Sequence, residues 1–217
     1  MRKHFRMKIA VITGQNITPD DIASAFAQVP DCRFYKTAEL VEQQADAIVD
    51  LSFTGSKEQI SVLKSFLPRI VLVNSVLDTI TEINAPFIRF NGWPGFLNNA
   101  VKEVCVPAGI EQQAADVFEA LQWKVIPVPD ICGFTSICVI SMIINEAFFA
   151  YGEGVSTKEE IDTAMKLGTN YPYGPFEWCN LMGIEPVYTL LKKLSLTDLR
   201  YTPAPELEKE AAGKIIA

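Results

Sequence analysis

The chain has 217 residues, enough for one large domain or two small ones. Hydrophobic residues make up 49% and charged residues 21%, as in a globular chain able to bury a core. The formal net charge of -7 argues against nucleic acid or an anionic membrane as the main partner.

The opening "MRKHFRMKIAVIT" is basic, but the apolar run after it is shorter than a signal-peptide core, and Met7 is a second candidate start. The five cysteines, Cys32, Cys105, Cys132, Cys138 and Cys179, are odd in number and lack C-x-x-C spacing. Together these features predict reduced thiols in a cytoplasmic protein. The single histidine, His4, lies in the N-terminal tail, so the ligand inventory predicts no metal site.

The first half alternates two periodicities. "KIAVIT" (Lys8 to Thr13) is strand-like. "TPDDIASAFAQV" then carries a helix start, with Thr18 as N-cap and Pro19 in the first helical position. "CRFY" is a weak strand and "DAIVDLS" a strong one, "KEQISVLKSFL" is helical, and "RIVLVNS", "PFIRF" and "VKEVCVP" are strands. "EQQAADVFEALQW" is a helix and "KVIPV" a last strand. Apolar strands alternating with amphipathic helices predict an open, mainly parallel sheet of doubly wound type, with ligands at the carboxyl ends of its strands.

From about Gly133 the strand signal fades. A long apolar helix is predicted from Phe134 to about Tyr151, and Asn145 and Glu146 within it favour a buried helix over a membrane span. "STKE" predicts a capping box of Ser156 with Glu159, and Gly168 a left-handed helix end. Pro172 and Pro175 forbid helix continuation, and Gly174 permits an unusual turn. The turn reads as scaffold, with Tyr173 or Phe176 bordering a pocket. "EPVYTLLKKL" and "TPAPELEKEAAGK" are further helices. The chain therefore divides into residues 7–129, an α/β domain with a shortened Rossmann-like parallel sheet, and residues 130–217, an all-α domain.

"GF" (Gly133, Phe134), "NEA" (Asn145 to Ala147), "EGVSTKEEIDTAMKLGTNYPYGPFEWCNLMGIE" and "RYTPAPELEKEAAGK" resemble the C-terminal domain of the 3-hydroxyacyl-CoA dehydrogenase family. The resemblance implies a helical domain that forms a dimer interface and closes over an acyl-CoA. It also implies an N-terminal Rossmann domain holding NAD and oxidation of a 3-hydroxyl by hydride transfer, with a histidine as base.

The groups for that chemistry are missing. At the G-x-G-x-x-G loop the chain has "VITGQNITPDDIA", whose glycine positions fall on Thr13, Gln15 and Thr18. Gly14 alone remains as a weak cofactor-binding candidate, and Asp20 and Asp21 set negative charge where a pyrophosphate should bind. Aligned on Asn91, the histidine position is Ile88, beside Arg89, which cannot be a base at neutral pH. Glu103 fits the acid that orients the family's histidine. The family's serine falls on Val76, next to Ser75, and its asparagine and arginine fall on Ile137 and Cys138.

Three functions remain. One is a non-catalytic relative that binds an acyl-CoA or acts as a dimeric partner. Another is an active NAD-dependent dehydrogenase with displaced groups, for which Glu103, Tyr173 or Cys132 would be the base. The last is a different small-molecule enzyme using Asn74, Ser75, Asn91 and Glu103 in a cleft between the domains. A homodimer through the C-terminal helices is expected in each case.

Overall fold

The computed structural model describes residues 7–14, 19–42 and 44–215. It divides into two compact units, Met1–Ile131 and Cys132–Ala217. Residues 1–6 and 15–18, with the expectations for His4, Gln15 and the Thr18 cap, lie outside the described residues.

In the first unit the chain runs β1 (Ile9–Ile12), α1 (Pro19–Phe26), β2 (Cys32–Tyr35), a 3-10 turn (Ala38–Leu40), β3 (Ala47–Asp50), α2 (Lys57–Lys64) and β4 (Ile70–Asn74). It continues through α3 (Ile80–Ile83), β5 (Ile88–Phe90), β6 (Val101–Cys105), α4 (Glu111–Leu121) and β7 (Lys124–Pro127). Among the described residues these strands form one sheet in the order β2-β1-β3-β4-β5-β6-β7. β1 to β5 are parallel, and β3 and β4 are neighbours, as "DAIVDLS" and "RIVLVNS" predict. β6 is antiparallel to β5 and parallel to β7.

The apolar runs explain why the sheet is covered on both sides. One face sends Ile9, Val11, Val49, Leu72, Ile88, Phe90 and Val104 against Phe26 of α1 and Ala114, Val117, Phe118 and Leu121 of α4. The other packs Ala10, Ile12, Ile48, Val71, Val73 and Phe87 against Leu63, Phe66 and Ile83. Each large side chain so buried contributes about 1.5–3 kcal/mol relative to exposure. Helix starts follow local chemistry. Ser56 accepts from the Gln59 amide to cap α2, and Thr79 with Glu82 forms a full capping box on α3. The text "TITE" carries that second signal, and the sequence reading passed over it.

The second unit is helical: α5 (Thr135–Gly152), α6 (Lys158–Thr169), α7 (Pro175–Met182), α8 (Ile184–Ser195) and α9 (Pro205–Ile215). By length and composition alone α5 could cross a membrane. Its Asn145 is instead spent inside the unit, donating to the Thr202 carbonyl at 2.9 Å and accepting from the Ala204 amide at 2.8 Å. Lys158 sits 4.9–5.2 Å over the rings of Phe148, Tyr151 and Phe176 and pairs with Glu210, joining α6 to α5, α7 and α9.

Three local expectations are corrected. The capping box on α6 is Thr157 with Glu160, one residue later than Ser156 with Glu159. Thr157 has the same chemistry with a glutamate three residues on, and Ser156 donates to the Glu160 carboxylate from outside the helix. α6 ends not at Gly168 but one turn position beyond Thr169, on Asn170 in the left-handed region at φ 54°. Asparagine tolerates that conformation, so no glycine is needed. Gly174 has an ordinary φ of -74°. It is glycine because a Cβ there would overlap the Asp162 carboxyl group. Asp162 of α6 uses that closeness to cap α7, accepting from the amides of Phe176 at 2.8 Å and Glu177 at 3.1 Å. The Tyr-Pro-Tyr-Gly-Pro turn is therefore scaffold that welds two helices together.

Candidate functional site

Sheet order selects the place to look. The chain leaves β1 in one direction to β2 and the sheet continues on the other side through β3, so a crevice opens at the carboxyl ends of β1 and β3. β6 runs against β5, which brings its first residues beside the carboxyl ends of β4 and β5. These two facts gather Gly14, Asp50, Ser52, Asn74, Asn91 and Glu103 along one edge of the first unit.

At the β1–β3 crevice, Gly14 is left-handed at φ 63°, and a Cβ on it would lie 2.5 Å from Ser52 Cβ. The space a side chain would need here is thus taken by Ser52. Below it Asp50 is fully buried. Its Oδ1 accepts from the Ser52 amide and hydroxyl, both at 2.9 Å, and its Oδ2 from Gln59 Nε2 at 2.8 Å. Burial pushes the Asp50 pKa up from 3.8 to about 6, against the hydrogen bonds from Ser52 and Gln59. The sequence reading missed Asp50; its signal is a single carboxylate closing an apolar strand run.

The candidates further along are engaged with the backbone. Asn74 donates to the Leu51 carbonyl at 3.2 Å and accepts from the Gly92 amide at 2.9 Å, tying β3, β4 and the turn after β5. Gly92 has no room for a side chain, since a Cβ would meet Phe90 and Asn74. Ser75 is buried, and its hydroxyl donates to the Asp78 carbonyl at 3.0 Å. Asn91 is buried and reaches Glu103 Oε2 at 3.5 Å, while its Oδ1 accepts from the Trp93 amide at 3.4 Å. Glu103 is half-buried. The structure therefore brings Asn91 and Glu103 together, and uses Asn74 and Ser75 to shape the loops.

The positions aligned with catalytic groups are apolar and buried. Val76 and Ile88 in the first unit, and Ile137 in the second, are almost or wholly inaccessible. Side chains alternate along a strand, so register decides which face each occupies. Ile88 packs with Leu72 and Val104 in the core cluster on one face. Glu103 flanks Val104 in β6, so it points to the other face, with Asn91. Of the alternative bases, Cys132 is half-buried, with its carbonyl 3.7 Å from Cys138 Sγ. Tyr173 is exposed and stacks edge-on against Trp178 at 4.8 Å.

Arg89, rejected as a base on its chemistry, has a structural task. Fully buried, it donates to the carbonyls of Ser75 at 3.1 Å, Val76 at 3.4 Å and Ile131 at 3.2 Å, and pairs with Asp130. Asp130 also accepts from the Ile80 amide at 2.9 Å. One guanidinium thus fastens the loop after β4 and the last residues of the first unit. Cys105 lies across the β5–β6 ladder from Arg89. Burial raises its thiol pKa, and Asp130 adds to the effect while Arg89 opposes it. This is an inert thiol, not a nucleophile. Lys102 is buried on the opposite face, 5.0 Å over the Trp123 ring, and burial lowers its pKa.

This architecture is that of Rossmann-like dehydrogenases with a C-terminal helical domain. FadB2 of M. tuberculosis superposes with a TM-score of 0.78 at 14% identity, over 96% of this chain and 94% of that one. (S)-3-hydroxybutyryl-CoA dehydrogenase PaaH1 from Ralstonia eutropha gives 0.74 at 19% identity, over 96% and 94%. The family profile of the 3-hydroxyacyl-CoA dehydrogenase C-terminal domain matches residues 133–212. A probable 3-hydroxybutyryl-CoA dehydrogenase of Bacillus subtilis is 30% identical over 206 residues, covering 88% of this chain and 71% of that protein. The chain belongs to the 3-hydroxyacyl-CoA dehydrogenase family. The 3-hydroxyadipyl-CoA dehydrogenase of Escherichia coli is 39% identical over 89 residues, 40% of this chain but only 19% of the relative's length.

Proposed function

We propose that the chain keeps the family's architecture without its hydride transfer, and serves as a non-catalytic acyl-CoA-binding protein or dimeric partner. One observation carries this reading. The position that resembles the catalytic histidine is Ile88, sealed in the core on the sheet face opposite Glu103. An orienting carboxylate and a base that face opposite sides of a sheet cannot form a pair, whatever residue stands at 88.

The sequence of the β1 turn also argues against NAD. A pyrophosphate needs glycine backbone open to it and a helix N-terminus free of negative charge. Here the sequence has glycine only at Gly14, off the three loop positions, and aspartates Asp20 and Asp21 at the start of the next helix, and Ser52 packs where a side chain on Gly14 would lie. Buried Val76 and Ile137 remove the hydroxyl and amide that would orient a substrate.

A second reading, an active dehydrogenase with displaced groups, draws support from the match over most of the Bacillus subtilis relative. Asn91 with Glu103 would then be its reactive pair. Titration calorimetry of the whole protein with NAD, NADH and acetoacetyl-CoA separates the two. Heat with acetoacetyl-CoA and none with either nucleotide is the expected result. NAD reduction by 3-hydroxybutyryl-CoA at an ordinary enzymic rate would overturn the reading.

A further inference from the structure

The hydrogen bonds around Asp50 form a chain with fixed polarity. Gln59 gives its Nε2 to Asp50 Oδ2, so its Oε1 faces away, where it accepts from the Thr54 amide at 2.8 Å and the Thr54 hydroxyl at 2.9 Å. Asp50 Oδ1 accepts from the Ser52 amide and hydroxyl. The Ser52 amide and Gln59 Nε2 can only donate to the carboxylate, which suits an ionised acid, while the Ser52 hydroxyl can turn to donate or accept. The segment so held, Ser52 to Gly55, is the wall of the β1–β3 crevice. Ser52 fills the space over Gly14, and a Cβ on Gly55 would lie 2.7 Å from Asp78 Oδ2 in the loop after β4.

We propose that Asp50 and Gln59 form a proton-sensitive latch, in which a proton on Asp50 releases the Ser52–Gly55 wall from its backbone anchors and opens the crevice between β1 and β3. Donor and acceptor counts give two routes, and both end in that wall. A proton on Oδ2 faces Gln59 Nε2, so the amide must turn over. Its Oε1 then accepts from Asp50, and its NH2 confronts the Thr54 amide, which loses its acceptor. A proton on Oδ1 is donated to the turned Ser52 hydroxyl and leaves a weakly accepting oxygen before the Ser52 amide, whose own bond is weakened.

The groups facing Asp50 are few. Its ladder neighbours are Ile12 on β1 and Val73 on β4, α2 presents the neutral Gln59, and the 3-10 turn contributes Glu39, whose charge favours the protonated form. Asp78 stands across Gly55. No cation is among the groups that act on Asp50 in the described residues. The driving force is relief of a buried charge, with an onset close to neutral pH, and the lost backbone bond is the local cost. The latch goes beyond the proposed function, since it holds whether or not the chain turns over substrate.

Amide hydrogen exchange on the intact protein, read by NMR as protection relative to an unstructured peptide, tests it. Protection at Ser52 or Thr54 is expected to fall by about tenfold or more between about pH 8 and pH 5, while β3 and β4 amides stay protected. Asp50→Asn should leave both amides weakly protected at either pH. Unchanged protection at both residues in the parent, or a pH response that survives in Asp50→Asn, overturns the latch. Should that variant fail to fold, the carboxyl carbon shift of Asp50 in the parent decides. Its midpoint must coincide with the amide transition and with movement of the Gln59 side-chain resonances, and a mismatch rejects the proposal.

Discussion

Ile88→His restores the residue that the family resemblance calls for, and it should restore nothing else. Position 88 is fully buried among Leu72, Phe90 and Val104. Losing the buried isoleucine costs about 1.5–3 kcal/mol. An imidazole in that apolar cluster lacks a hydrogen-bond partner, which costs roughly another 1–3 kcal/mol. The sum, about 2.5–6 kcal/mol, is a large share of the 5–15 kcal/mol typical of a folded domain. In return the ring would face away from Glu103. General base catalysis supplies about 10²–10⁴-fold only when the base reaches the substrate hydroxyl. The assay is NADH absorbance with 3-hydroxybutyryl-CoA, alongside urea unfolding followed by tryptophan fluorescence. A variant as stable as its parent that reduces NAD would refute the assignment of Ile88 to the core face.

Removing the Asp162 cap should loosen the second unit: Asp162→Ala deletes two backbone anchors on α7 and should cost about 2–4 kcal/mol, measured by urea unfolding. Asp130→Ala strands the buried Arg89 guanidinium and should cost about 3–5 kcal/mol, whereas pairing it with Arg89→Met should return part of that loss. Because the Asp50 pKa is raised on folding, the native chain holds this proton more tightly than the unfolded one. Its contribution to stability is therefore full below about pH 4, falls as pH rises to about 6 and is flat above, by about 3 kcal/mol in all; Asp50→Asn should remove this slope from unfolding curves taken across that range. The exposed apolar residues of the second unit, Val139, Tyr151, Leu167 and Leu181 among them, support a proposed homodimer, and light scattering giving a 24.1 kDa particle at micromolar concentration would reject it.

The fold was legible because its signals are repetitive. Strands such as "IAVI" and the "IVLV" of β4 are apolar throughout, and a run of that kind is satisfied only between two layers. The resemblance in the second half was legible because the spacing of Pro175, Gly174 and Asp162 reports one packing solution. What those residues do was harder to read. Asp162 and Gly174 lie 12 positions apart, and no local rule links an acid in one helix to a glycine before the next. The start of α6 lies one residue later than the sequence suggests because Ser156 and Thr157 carry the same capping chemistry, and its end lies beyond Gly168 because Asn170 also tolerates the left-handed region.

The candidate site was less legible, for a physical reason. Asn74, Ser75, Asn91 and Glu103 are polar residues that the family resemblance brings near the chemistry, but a strand end also has backbone groups to satisfy. Asn74 and Ser75 meet that need, through Leu51, Gly92 and Asp78, and are not free for a ligand. Arg89 and Asp50 lie in apolar strand text and look like accidents until their buried partners are seen.

The three apolar substitutions can be weighed together. A serine, histidine or asparagine held ready for a substrate is a polar group with unmet hydrogen bonds in the free protein, each costing about 1–3 kcal/mol when buried. Val76, Ile88 and Ile137 carry no such cost and add apolar contacts instead. A chain with no hydride to transfer gains stability at all three positions, while its scaffold contacts, such as Asp162 on Gly174, still have to be made. Under the proposed reading, apolar residues at the positions aligned with the chemistry beside retained packing contacts are the pattern expected when only folding and binding constrain the sequence. An active enzyme with displaced groups would need a new polar cluster that could reach a substrate. Among the described residues two polar clusters lie on that edge, Asn91 with Glu103 and Asp50 with Ser52 and Gln59, and both are already bonded within the chain, Asn91 to the Trp93 amide and Asp50 to the Ser52 amide.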